Sequence, residues 1–172
     1  MTDFGWGAVL LAYLSVQRAA ELWWATQNER RLFAAGGVEY GKQHFALIVL
    51  LHTAWIAGLW VLAFSHSVDL VFLALFVALQ AARFWVLFTL GRRWTIRVIV
   101  IPGERLVASG PYRFLRHPNY AVVTAEIAVV PLALGLPIYA LIFSILNLAV
   151  LAIRVPAENT ALAAVAFDRR HT

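Results

Sequence analysis

Apolar residues run along this chain in long uninterrupted blocks rather than at the period of a half-buried helix or strand, and short polar clusters separate the blocks. Four blocks stand out, at 4–24, 44–64, 69–90 and 120–153. A hydrocarbon core about 30 Å thick takes roughly 20 helical residues, so each of the first three fits one crossing. The fourth is too long for a single span, and Gly135-Leu136-Pro137 interrupts it with a residue suited to a turn and one that cannot continue a helix. It divides into 119–135 and 138–153, a tight hairpin of two helices, each on the short side for a full crossing. The pattern predicts an all-α integral membrane protein of about five transmembrane helices. It forms a single membrane domain over 1–172, with an interfacial loop at 91–118 and a tail at 154–172.

Composition agrees, since 62% hydrophobic residues is far above the content of a soluble globule. The start, Met-Thr-Asp-Phe, has an acid where a cleavable signal would be basic, so the first block is expected to stay as a helix. Cysteine is absent, which removes disulfides, thiolate catalysis and cysteine metal sites; no metal centre is expected. Charge adds an orientation. Twelve of the fourteen Lys and Arg fall in the first loop (Arg30, Arg31, Lys42), the third loop (Arg92, Arg93, Arg97, Arg105, Arg113, Arg116) and the tail (Arg154, Arg169, Arg170). The positive-inside rule then places the amino terminus outside, and both basic loops and the carboxyl terminus in the cytosol. Topology accounts for the net charge of +5, so nucleic acid is not an expected partner.

The other two arginines lie inside predicted helices. Measured from the inner helix ends at 1.5 Å per residue, Arg18, His52, Arg83 and Glu126 all fall roughly 10 Å below the cytosolic surface. Ionisable groups at such depth face a bundle interior or an aqueous cavity, which suggests a polar chamber open to the cytosol. Two plainer readings stand beside it: Arg18 and Arg83 snorkel to the headgroups, or Arg18 pairs with Glu21 three residues on. Glu126 is too short to snorkel and needs a partner within the bundle.

The third loop carries the chemistry. Its segment from Trp94 to Tyr120 alternates apolar and polar residues around Ile101-Pro102-Gly103-Glu104 and Ser109-Gly110-Pro111, a pattern of short extended and turn structure at the membrane surface. Pro118 suits the first position of the fourth helix, where its missing amide hydrogen costs nothing, so His117 is held at the helix entrance. The imidazole offers a donor and an acceptor there, and Asn119 and Tyr120 add further polar groups.

Gly110-Pro111-Tyr112-Arg113 followed by Arg116-His117-Pro118-Asn119-Tyr120 resembles the signature of the isoprenylcysteine carboxyl methyltransferase family, integral-membrane enzymes that use S-adenosylmethionine. Beyond the last helix, Arg154, Glu158 and Leu162 match the spacing of that family's second element. The resemblance spans about 94–167. It implies that Tyr112, Arg113, Arg116, His117, Pro118, Asn119 and Tyr120 help bind the cofactor, with Glu158 closing the pocket from the tail. Arg154, Glu158 and Glu126 are the catalytic candidates: an arginine to pair with a carboxylate, and acids to deprotonate a hydroxyl or amine acceptor, a task for which His117 is a further candidate. The acceptor implied is lipidic, either a carboxylate or the hydroxyl of a long-chain phenol or pyrone, reached from a bacterial inner membrane. Three positions depart from the pattern. Asn159 replaces a second glutamate, Ala121 stands where glycine is common, and Pro156 predicts a kink between Arg154 and Glu158. Two other functions compete: an NADPH-dependent membrane sterol or lipid reductase, which shares the histidine motif, and a non-enzymatic lipid-binding protein.

Overall fold

Five α-helices carry the chain in the computed structural model, which describes residues 5–168: α1 (Trp6–Ala34), α2 (Lys42–Ala63), α3 (Leu70–Leu90), α4 (Pro118–Ala133) and α5 (Pro137–Asp168). Three have spans apolar and long enough to cross a membrane, over His44–Ala63, Leu70–Arg93 and Pro137–Ala163; α4 is apolar but shorter. With α1, which carries Arg18 and Glu21 within its apolar block, they form an all-α integral membrane bundle.

Local sequence sets the boundaries. Asp69 caps α3 by accepting from the amides of Val71 and Phe72 at 2.8 and 3.2 Å, which satisfies two donors that the first helical turn leaves free. Between α4 and α5 the chain turns at Gly135, whose φ of +73° a residue with a side chain rarely adopts, and Pro137 opens α5. The hairpin read from Gly135-Leu136-Pro137 is present.

Two helices run further than their apolar blocks. α1 continues to Ala34 instead of ending near residue 24, and α5 runs unbroken through the stretch expected as a tail. Beyond each apolar block lie good helix formers with no glycine among them, so the helix propagates past the hydrophobic limit. Pro156 removes one backbone hydrogen bond within α5 but does not end it. At 29 and 32 residues these helices are about 43 and 48 Å long, so both project beyond a hydrocarbon core.

Leu11 and Leu14 of α1, Trp55 and Leu59 of α2, and Ile127 and Val130 of α4 are fully or almost fully buried together. Lipid tails are as apolar as these side chains, so close packing rather than water exclusion holds the helices together. Gly7 shows how tight it is: a Cβ there would lie 2.6 Å from the Ala63 carbonyl oxygen.

At the end of the bundle where the first and third loops lie, hereafter the basic end, two three-residue strands pair antiparallel: β1 (Val38–Tyr40) and β2 (Val98–Val100), with Glu39 opposite Ile99. The alternation in the third loop anticipates β2; β1, in the first loop, was not foreseen. Asn28, fully buried near the end of α1, donates to the carbonyls of Gly91 and Trp94 at 3.1 and 2.9 Å. Arg97 reaches Glu39 at 2.9 Å and Glu29 at 3.4 Å, with its guanidinium 4.3 Å above the Phe45 ring. These contacts fix the third loop against the projecting ends of the helices.

Candidate active site

Inside the bundle, the ionisable residues that share a depth form a closed lattice rather than a chamber. Arg83 on α3 binds Glu21 on α1 with two hydrogen bonds, from Nε at 2.6 Å and Nη2 at 2.9 Å, and donates from Nη1 to Glu126 on α4 at 2.6 Å. Arg18 bridges the same two carboxylates, at 2.8 Å to Glu21 and 2.5 Å to Glu126. Gln80 donates to the other Glu126 oxygen at 2.8 Å, and Gln17 joins Gln80 to Glu21. Two guanidiniums facing two carboxylates leave no net charge, the arrangement that makes ions tolerable at membrane depth. The pairing of Arg18 with Glu21 and the bundle partner required by Glu126 are both present. His52 takes no part, because its Nδ1 lies 2.9 Å from the Ile48 carbonyl of its own helix.

The other polar centre lies at the basic end, where a cavity of about 880 Å³ opens between the third loop, β2 and the ends of α1, α4 and α5. Of the residues expected to bind cofactor, Tyr112, Arg116, His117, Asn119, Tyr120 and Glu158 line it, as does Arg154. Arg113 and Pro118 do not: Arg113 points outward from the 3₁₀ turn Gly110–Arg113, and Pro118 is buried as the first residue of α4. Glu126 is absent from the lining as well, since the buried lattice occupies both its oxygens.

Tyr120 organises the cavity floor. Its hydroxyl donates to Glu158 Oε2 and accepts from Arg154 Nε at 2.7 Å, so the phenol stands between the carboxylate and the guanidinium of α5. Arg154 also donates from Nη2 to the Ile96 carbonyl, which ties α5 to the third loop. Pro156 therefore does not separate Arg154 from Glu158, because α5 stays helical and both side chains reach one hydroxyl.

His117 sits at the entrance to α4, its ring 5.4 Å from that of Tyr120 and 25° from parallel. Its Nδ1 is 3.3 Å from Glu158 Oε1, and its Nε2 is 3.0 Å from Asn159 Oδ1. Asn159, the departure from the expected glutamate, thus supplies an acceptor to the same imidazole. The Glu158 carboxylate holds the His117 pKa above its ordinary value, against burial, and Asn159 adds to the rise. Burial pushes the Tyr112 phenol up, with the Glu158 charge adding, so this hydroxyl stays neutral.

Sequence reasoning passed over Trp94. Its residue is 5% exposed and lines the cavity, with Nε1 unpartnered among the described residues; Asn119 Oδ1 is likewise buried and has no partner among them. Only the loop's fold, which turns Trp94 beneath β2 and against Ala25 and Leu87, brings that donor to the site. Nothing in its sequence neighbourhood distinguishes it from an interfacial tryptophan.

Residues 72–164 match the model of the isoprenylcysteine carboxyl methyltransferase (ICMT) family, a range that contains every residue of the cavity floor. The chain belongs to the ICMT family. Membership places it among integral-membrane methyltransferases. It is 38% identical over 159 residues to the uncharacterized protein YpbQ of Bacillus subtilis, covering 90% of this chain and 95% of that one. An uncharacterized protein of Haemophilus influenzae is 26% identical over 147 residues, covering 79% and 83% of the two chains. No solved structure is significantly similar. The ICMT match leaves out α1 and α2, so Arg18 and Glu21 lie outside it while their partners Arg83 and Glu126 lie within.

Proposed function

We propose that this chain transfers a methyl group from S-adenosylmethionine to a lipidic acceptor, a carboxylate or the hydroxyl of a long-chain phenol or pyrone, at the cytosolic face of a bacterial inner membrane. One observation carries the reading: His117 before α4 and Tyr120 of α4 converge with Arg154 and Glu158 of α5 on a single cavity at the basic end.

The residues present suit the cofactor. The unpartnered Trp94 Nε1 and Asn119 Oδ1 offer a buried donor and acceptor for its polar edges. Arg154 Nη1, with no hydrogen bond to a described residue, suits its carboxylate. When bound, the cofactor supplies an electrophilic methyl on a sulfonium: a carbon–oxygen bond forms as the carbon–sulfur bond breaks, and the acceptor oxygen supplies the electron pair. The chain's part is alignment and exclusion of water.

A carboxylate acceptor needs no base, whereas a hydroxyl must lose its proton. Three candidates for that role reduce to one. Glu126 is locked in the buried lattice, and His117 presents both ring nitrogens to acceptors, which favours the protonated ring and leaves no lone pair. Glu158, at the cavity wall, is the base: against burial, hydrogen bonds from His117 and Tyr120 hold its carboxyl ionised below the ordinary pKa, and each oxygen, with one partner, keeps a further lone pair.

The test is calorimetric titration of the purified chain with S-adenosylmethionine and, separately, NADPH, followed by transfer of labelled methyl to membrane lipid extracts. Binding of S-adenosylmethionine is expected, with affinity lost in His117→Ala. If the acceptor is a hydroxyl, Glu158→Gln is expected to lower transfer by about 10²–10⁴-fold. Binding of NADPH alone would replace this reading with the reductase, and retention of a defined lipid with neither cofactor would favour the binding protein.

A further inference from the structure

The 3₁₀ turn Gly110–Arg113 and the residues after it form an ordered, outward-facing element that reaches beyond the cavity. Phe114 and Leu115 are 74% and 53% exposed, and Arg113 and Arg116 beside them are exposed as well. The element is fixed in place. The amides of Phe114 and Leu115 both donate to the Pro111 carbonyl at 3.1 Å, and a Cβ on Gly110 would lie 2.5 Å from Thr89 Oγ1 of α3.

Depth follows from a neighbour. The Phe114 ring is 6.5 Å from that of Trp85, which lies about five residues, or roughly 7–8 Å along the axis, before the end of α3. Because α3 spans the membrane, a ring docked beside Trp85 sits below the headgroups rather than in an aqueous loop. Trp85 and Phe88 are themselves 50% and 77% exposed and extend the same apolar surface. Arg113 and Arg116 flank the inserted pair, and neither has an ion pair or hydrogen bond to a described residue. Two guanidiniums without a partner among the described residues, flanking an apolar pair in sequence, match the chemistry of an anionic headgroup above an acyl chain.

We propose that residues 113–116 form a membrane wedge in which Phe114 and Leu115 enter the acyl boundary while Arg113 and Arg116 hold the phosphate of an anionic lipid. His117 follows immediately, so this lipid contact sets the depth of the entrance to α4. The wedge does not depend on methyl transfer, and its test reads lipid alone.

The chain lacks cysteine, so Phe114→Cys takes a single spin label. With the full chain in phosphatidylcholine nanodiscs containing phosphatidylglycerol, the label is expected to relax with dissolved oxygen and not with a water-soluble nickel chelate; a label on Gly103→Cys shows the reverse. Native mass spectrometry of the unlabelled chain from mixed nanodiscs is expected to show phosphatidylglycerol retained over phosphatidylcholine on the order of ten-fold. That preference falls to near parity in Arg113→Gln/Arg116→Gln. Arg113→Gln alone, at a residue outside the cavity, gives part of the loss if the double variant folds poorly. Nickel access at position 114, or unchanged lipid retention in these variants, would overturn the proposal. Dipolar broadening between labels would place a second copy of the chain against Phe114 and overturn it too.

Discussion

At His117 a single imidazole is held by two residues of α5, Glu158 on Nδ1 and Asn159 on Nε2. The raised pKa fixes the sign of the pH dependence. Below the ordinary histidine value of about 6.5 the ring is charged in folded and unfolded chains alike, and the pairing contributes fully. As pH rises through the higher folded value that contribution is lost. The thermal midpoint of the detergent-solubilised chain is therefore expected to step down on moving from about pH 6 into the alkaline range, and His117→Gln should flatten the step. A midpoint that rises over that interval in the parent chain alone would contradict the pairing. The histidine motif was legible as chemistry because its residue types are concentrated in a few positions. The tautomer and charge of the ring were not, because they depend on Asn159 and Glu158, some forty residues away in sequence.

Among the helices, the lattice of Arg18, Glu21, Arg83 and Glu126 joins α1, α3 and α4 at one level. Arg83→Leu would leave two carboxylates against one guanidinium in a buried setting, a loss expected to be about 3–5 kcal/mol in unfolding experiments. The combination Arg83→Leu/Glu126→Leu should cost clearly less than the sum of the single changes, because it removes both members of a pair. Additive losses would show that the two groups act separately. Counting residues from the helix ends revealed that these charges share a depth. Whether they line a chamber or close on each other depends on the rotation of each helix about its axis, which apolar blocks without periodicity do not encode. The same absence hid the length of α1 and α5: hydrophobicity ends where lipid ends, but a helix ends where a breaker or a cap does.

For the whole molecule, the arginines of the third loop and the cavity lie at one end of the bundle, opposite the turns that join α2 to α3 and α4 to α5. If that basic end faces the cytosol, a fluorescent protein fused to the carboxyl terminus is expected to mature, and alkaline phosphatase inserted between His66 and Ser67 to be active outside. The opposite pattern would put the cavity on the wrong side for a cytosolic methyl donor, whatever the cavity binds.

What the sequence determined by itself is the solvent, the helix count, the hairpin and the family signature, because lipid imposes a length on every apolar block and because Gly, Pro and His carry their meaning at short range. The tertiary structure decided which polar groups meet. It kept Glu126 out of the cavity lining, brought Asn159 and Trp94 into it, kept Arg154 and Glu158 together across Pro156, and left Arg113 exposed outside it. Each of those outcomes depends on how helices distant in sequence rotate and pack against one another.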